Sequence, residues 1–167
     1  MATSTQTVKE LRQLTGAGIL ECKRVLDEVG GDLQKAADIL RERGLAKAAG
    51  KAARETREGL VDSYIHNGNR VGALIEVNCE SDFVAKTADF RELTHNLAMQ
   101  VAAMAPRYIE KEDVPDTEER PLTEVCLMEQ PYIRDPSRTV RELVQEAIAR
   151  LGENIRVRQF VRYALGE

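Results

Sequence analysis

The segment Val71–Lys86, VGALIEVNCESDFVAK, restricts this chain more than any other stretch. Val71, Ala73, Ile75, Val77 and Cys79 recur at every second position, which specifies a strand with one apolar face. Gly72, Leu74, Glu76 and Asn78 take the other face. The alternation stops at Glu80, and Ser81-Asp82-Phe83-Val84 then places an aromatic directly after a carboxylate at the edge of a turn. With a strand behind and a long helix ahead, Phe83 is held at a fixed place. Periodicity alone reads Phe83 as a core residue turning the corner. Upstream, Leu60 to His66 alternates as well, with Val61, Ser63 and Ile65 against Leu60, Asp62, Tyr64 and His66. Asn67-Gly68 between the runs is a strong hairpin signal, because both turn positions favour positive φ. His66, at the strand end, reads as a satisfied or solvated side chain.

Ahead of the hairpin, residues 1–44 predict three short helices. Thr7-Val8-Lys9-Glu10 fits a capping box with Thr7 at the N-cap, followed by Val8, Leu11 and Leu14 on one stripe. The turn Thr15-Gly16-Ala17-Gly18 separates this helix from one starting near Ile19, with Cys22, Val25, Leu26 and Val29 inward. Gly30-Gly31 stops that helix, and Asp32 caps a third carrying Leu33, Ala36, Ala37 and Leu40 up to Gly44. Ile19 and Leu20 are adjacent, so they cannot both face inward. Exposure beside the glycine turn suggests a partner surface as readily as crowding at a helix start. Residues 45–59, LAKAAGKAARETREG, predict a basic helical connector with Lys47, Lys51 and Arg54 on one face.

Downstream of the corner, Thr87 caps a helix with Phe90, Leu93, Leu97, Val101 and Met104 on a stripe, ended by Pro106. Ala98, Ala102 and Ala103 lie on its other side, and His95 reads as surface or partner-facing. Residues 107–120 form an acidic loop. The stretch 122–133 fits a helical turn or an edge strand, and Asp135-Pro136-Ser137 a turn. Thr139-Val140-Arg141-Glu142 is a second capping box, opening a helix with Val140, Leu143, Val144, Ala147 and Leu151 inward that stops at Gly152. The last segment alternates, with Ile155, Val157, Val161, Tyr163 and Leu165 on one face and Arg156, Arg158, Phe160 and Arg162 on the other. The fold class is therefore α+β. Three helices over 1–44 are joined by the connector 45–59 to a core, 60–167, of a small three-stranded antiparallel sheet packed with helices. An apolar sheet of this size calls for a cover, which a second copy of the chain supplies.

Composition narrows the function. The net charge is −4, against the basic excess of a general nucleic-acid binder. Residues 107–136 hold nine acidic and four basic side chains, and 45–59 four basic and two acidic. The start MATSTQTVK has no apolar core of a secretory signal, and no run reaches membrane-spanning length. Cys22, Cys79 and Cys126 are odd in number and widely spaced, which fits reduced thiols in the cytoplasm. With two histidines and no CxxC or HxxxH pair, no metal or cofactor is expected. Gly16-Ala17-Gly18 lacks a preceding strand and reads as a turn, not a phosphate cradle. Cys22 and Cys79 lie on apolar stripes, and no nucleophile–base spacing stands out. The residues point to binding, not to an enzyme.

Three stretches together resemble one family: LRQLTGAGILECK at 11–23, VNCESDFVAK at 77–86 and GENIRVRQFVRYALGE at 152–167. They are similar, in order and over nearly the whole chain, to elongation factor Ts of bacterial and organellar translation. The resemblance implies guanine-nucleotide exchange on elongation factor Tu. It implies that the three-helix head is a ubiquitin-associated-like module docking on the partner's nucleotide-binding domain through the turn at Gly16, Gly18, Ile19, Leu20 and Lys23. It implies that Ser81, Asp82, Phe83 and Val84 form a wedge that enters near the partner's Mg²⁺, which replaces the core reading of Phe83. The chain departs from the pattern at Ser81, where Thr is usual, and at Ile19-Leu20-Glu21, where two Met and an Asp are common. It is also short. The loop around Glu110 to Pro121 has no room for the protruding coiled coil of longer members, and similarity to short members implies a homodimer. Two other classes remain: a protein-interaction adaptor without exchange activity, and an RNA-binding platform on Phe160, Arg156, Arg158 and Arg162. The acidic balance speaks against RNA, and neither nucleic acid nor membrane is expected as a partner.

Overall fold

The computed structural model describes residues 4–167; Met1–Thr3 of the opening stretch, on which part of the leader reading falls, lie outside the described residues. The elements run α1 (Thr5–Thr15), α2 (Ile19–Glu28), α3 (Leu33–Ala49), β1 (Glu58–Ile65), β2 (Val71–Cys79), α4 (Asp82–Ala85) and α5 (Ala88–Met104). There follow α6 (Leu122–Val125), β3 (Pro131–Tyr132), β4 (Asp135–Thr139), α7 (Val140–Leu151) and β5 (Ile155–Ala164). The architecture is α+β: helices α1–α3, then an antiparallel sheet of order β1-β2-β5 packed with helices. Among the described residues no helix is long and apolar enough to cross a membrane.

The head has its own cluster of Val8, Leu11, Cys22, Val25, Leu26, Ala36 and Leu40. Its caps differ from expectation at one end. Ser4, not Thr7, is the N-cap of α1, its hydroxyl accepting from the Thr7 N–H at 3.1 Å. Either residue fits the cap, and the earlier one gives α1 a further turn. Leu14 leaves the inward stripe and is 67% exposed. Asp32 caps α3 as expected, accepting from the Lys35 N–H at 3.1 Å.

Helix α3 does not end at Gly44 but runs on to Ala49. A Cβ at Gly44 would lie 3.3 Å from the Cβ of Ala149 in α7. The glycine therefore marks a close helix crossing, and packing outweighs its propensity cost of about 1 kcal/mol. Lys51 and Arg54 fall in the turns beyond the helix, so they do not continue a helical basic strip from Lys47. Lys47 itself pairs with Glu21 at 2.9 Å.

In the sheet, Ala73, Ile75, Val77 and Cys79 are buried as the alternation predicts, and Leu74 faces out. The hairpin turn is one position later than Asn67-Gly68 implies. Its left-handed residues are Gly68 (φ 85°) and Asn69 (φ 55°), closed by Asn69 N–H to the His66 carbonyl at 3.0 Å. Strand β5 carries the largest correction. Val77 pairs with Val157 and Glu76 with Gln159, so Arg158 is an unpaired bulge residue. A bulge inverts the alternation beyond it. Ile155, Val157, Phe160 and Arg162 thus share the core side, while Val161, Tyr163 and Leu165 face solvent. Arg162 turns inward, its Nε donating to the Ala102 carbonyl at 3.0 Å. The expected single basic face does not exist, and the RNA platform loses its geometry.

Helix α5 fills the centre of the core, burying Phe90, Leu93, Leu97 and Val101 and, on its other side, Ala98 and Ala102. Met104 is partly exposed instead of closing the stripe. The stretch 122–133 resolves into α6, a 3₁₀ turn at Leu127–Glu129 and β3. It is tied to α5 by buried amides. Gln100 Nε2 donates to Gln130 Oε1 and to the Pro131 carbonyl, both at 3.1 Å, and Gln100 Oε1 accepts from the Ile133 N–H at 2.9 Å. Asp135-Pro136-Ser137 is not a free turn but part of β4, paired with β3. The Thr139–Glu142 capping box forms as predicted, and Gly152 ends α7 in the left-handed conformation at φ 80°.

Candidate functional site

Strand β2 delivers the chain to a sharp corner. Cys79 is its last residue, Ser81 is the N-cap of α4, and the Ser81 hydroxyl accepts from the Val84 N–H at 3.3 Å. Helix α4 has a single turn, so its two inward residues, Val84 and Ala85, anchor it, and both are buried in the main core. Asp82 and Phe83 then point outward. Phe83 is 77% exposed, which overturns the core reading that periodicity favoured. Thr87 closes the corner and starts α5, its hydroxyl accepting from the Phe90 N–H at 3.2 Å and donating to the Val84 carbonyl at 2.7 Å.

The corner carries an exposed ion pair, Lys86 Nζ to Asp82 Oδ2 at 2.6 Å. Hydrogen bonding to Lys86 holds the Asp82 carboxyl below the usual carboxylate range, and the same bond raises Lys86. A lowered carboxyl keeps its charge until pH falls below the ordinary carboxylate range, and a raised amine until pH climbs past the lysine range. The pair therefore stays charged throughout neutral pH. Below it, the buried Cys79 thiol is pushed up to about 11, by desolvation first and then by the charge of Glu153. It remains a neutral donor, 3.2 Å from the Ser81 carbonyl.

The four residues 81–84 thus divide by role. Asp82 and Phe83 are presented to solvent, Ser81 caps, and Val84 anchors. The second predicted cluster also divides. Ile19 and Leu20 are both exposed, Leu20 at 83%, and Lys23 lies exposed one turn on. Gly18 opens on free space, whereas a Cβ at Gly16 would lie 2.8 Å from Cδ of Arg150, so Gly16 seats the head against α7. Leu14, just before the turn, joins Ile19 and Leu20 as an exposed aliphatic. Sequence reasoning placed it in the core, and only its position at the far end of the α1 stripe hinted otherwise.

A third apolar surface is the outer face of the sheet, where Val61, Ile65, Leu74, Val161, Tyr163 and Leu165 are all exposed. A shallow depression of about 440 Å³ lies there, lined by Ile65, Leu74, Tyr163 and Leu165 among others.

A family model described as Elongation factor TS matches residues 4–121 and 118–167. The two matches overlap at residues 118–121, in the acidic loop. Proteins named Elongation factor Ts are similar along nearly their whole lengths. That of Thermoanaerobacter sp. (strain X514) is 49% identical over 98% of this chain and 95% of its own. That of Moorella thermoacetica is 50% identical over 96% and 94%. That of Thermotoga petrophila is 45% identical over 100% and 98%. With a family model covering nearly every residue and relatives at these identities, the chain belongs to the elongation factor Ts family.

Proposed function

We propose that this protein is a guanine-nucleotide exchange factor for elongation factor Tu in translation elongation, acting in the cytoplasm. The observation that carries the reading is Phe83, an exposed aromatic on a corner built from rigid elements, in a chain of this family. The head, residues 1–44, docks on the partner's nucleotide-binding domain through Ile19, Leu20 and Lys23. The connector 45–59 joins it to the core 60–167, which delivers Asp82 and Phe83 to the region that holds Mg²⁺ and the phosphates.

The thermodynamics need no bond to be made or broken. A factor that binds the nucleotide-free partner more tightly than the GDP-bound one must, by reciprocity, weaken GDP by the same factor. Displacing groups around Mg²⁺ removes the largest local charge from the phosphate site. Docking by the head supplies affinity common to both states, and the corner supplies the difference. GDP release from purified elongation factor Tu is the test. Acceleration at substoichiometric amounts supports exchange, and binding without acceleration would leave an adaptor.

The same reading includes a homodimer. The outer sheet face exposes a contiguous set of aliphatic and aromatic side chains with no helix over it among the described residues, and a second copy presenting the same face is its cover. At micromolar concentration, light scattering coupled to size exclusion should give twice 18.7 kDa. Leu74→Glu, which places a charge at the centre of that face, should give the single chain with its fold intact. A wild-type monomer under those conditions contradicts the dimer.

A further inference from the structure

We propose that Glu153 is a positioning residue for the Asp82–Phe83 corner, an inference that rests on the exchange reading above. Its carboxylate accepts three hydrogen bonds from the corner. Glu153 Oε2 accepts from the backbone N–H of Glu80 at 3.1 Å and of Ser81 at 3.0 Å. Glu153 Oε1 accepts from the Ser81 hydroxyl at 2.5 Å. Two successive backbone N–H groups and a hydroxyl converging on one carboxylate form a charge-assisted clasp.

The clasp is reciprocal. Glu80 Oε1 accepts in return from the backbone N–H of Asn154 at 2.6 Å. The buried Asn154 side chain donates to the carbonyls of Ala52 at 3.3 Å and Arg54 at 2.8 Å. The Arg54 guanidinium stands 3.5 Å from Glu80 Oε1. The corner, the α7–β5 junction and the end of the head's connector are thereby tied at one point. Glu153 is itself well placed to hold its direction, between the left-handed cap Gly152 and the buried start of β5.

The consequence for Phe83 runs through Ser81. Its hydroxyl hydrogen is committed to Glu153, so an oxygen lone pair faces the Val84 N–H and caps α4. A four-residue helix cannot sustain itself, since nucleation is unfavourable and it has almost no propagation to offset it. Only Val84 and Ala85 anchor it in the core. The direction in which Phe83 leaves the surface therefore depends on the clasp, with Glu153 acting through Ser81.

The test uses the full chain and GDP release from elongation factor Tu. Glu153→Ala should lower the maximal release rate roughly tenfold while KM moves less than about twofold, because head docking is untouched and the lost term belongs to the corner. Glu153→Gln should recover part of the rate, since its amide oxygen still accepts from the two N–H groups. A second readout needs no partner. The chain has no Trp, so Phe83→Trp gives a single emitter at the corner. Its anisotropy should fall when Glu153→Ala is added and stay high with Glu153→Gln. Should Glu153→Ala melt below assay temperature, Glu153→Gln against Glu153→Asp, which cannot span the same distance, makes the same comparison. A wild-type maximal rate together with unchanged anisotropy overturns the inference, as does a rate loss expressed only in KM. Failure of wild-type protein to accelerate release sinks the exchange reading instead, and the anisotropy still decides the clasp.

Discussion

Phe83→Ala should abolish most of the exchange activity and leave the fold standing. Its ring is 77% exposed and stands on a turn anchored by Val84 and Ala85, so removing it takes little apolar area out of the core. Surface substitutions of this kind stay within about 0.5 kcal/mol. An aromatic that anchors an interface costs about 2 kcal/mol or more when truncated, which is a loss of roughly 30-fold or more. Urea denaturation and GDP release measured on the same preparation separate the two effects. On the proposed docking through the head, complex formation should survive at higher concentration while release at saturation remains slow. A variant that unfolds, or one that exchanges at the wild-type rate, contradicts the assignment of Phe83 to the partner.

The largest expected effect on stability lies at Gly59→Ala. Gly59 sits in β1 opposite Asn78 of β2, at φ 152°. A Cβ there would collide with the Val77 carbonyl oxygen and come within 2.7 Å of the Asn78 Cα. Both obstacles are backbone of the central strand, so neither can rotate aside. Relief requires β1 to move off β2 where the sheet enters the corner. Strain of this kind costs about 3 kcal/mol, equivalent to roughly 6–12 °C in melting temperature for a chain of this length. A thermal melt followed by circular dichroism checks it, and a shift below about 2 °C means that the strand gives way more easily than its hydrogen bonding indicates. Exchange should decline with it, because β2 leads directly into Ser81.

The parts of this fold that could be read from sequence are those fixed within a few residues of chain. The β2 alternation, the Asp32, Thr87 and Thr139 caps and the Gly152 stop each depend on neighbours in the same element, and all appear as predicted. What escaped depends on a partner element. The Arg158 bulge exists only in the pairing of β5 with β2, and no property of the string IRVRQFVRYA marks which residue is skipped. Gly44 reads as a stop until α7 is laid across it. The hairpin turn moved by one residue because Gly68 and Asn69 together satisfy the positive φ positions that Asn67 and Gly68 also fit.

The candidate site divides in the same way. That Ser81-Asp82-Phe83 marks a corner was legible, since a strand stops there and a capped helix follows. Whether Phe83 faced in or out was not, because a one-turn helix has too few residues to show a period. The family resemblance implies the outward direction, and the structure shows Phe83 exposed. The Glu153 clasp, 72 and 73 residues from its partners in sequence, left no periodic trace at all.

The most direct test of this account is release of a fluorescent GDP analogue from purified elongation factor Tu, with wild-type protein at one-tenth of the partner's concentration. Exchange predicts that all the bound analogue leaves at a rate that rises with the amount of protein added, showing that each molecule acts repeatedly. Release no faster than without the protein, from a partner that it demonstrably binds, would contradict exchange and leave the corner as a docking element alone.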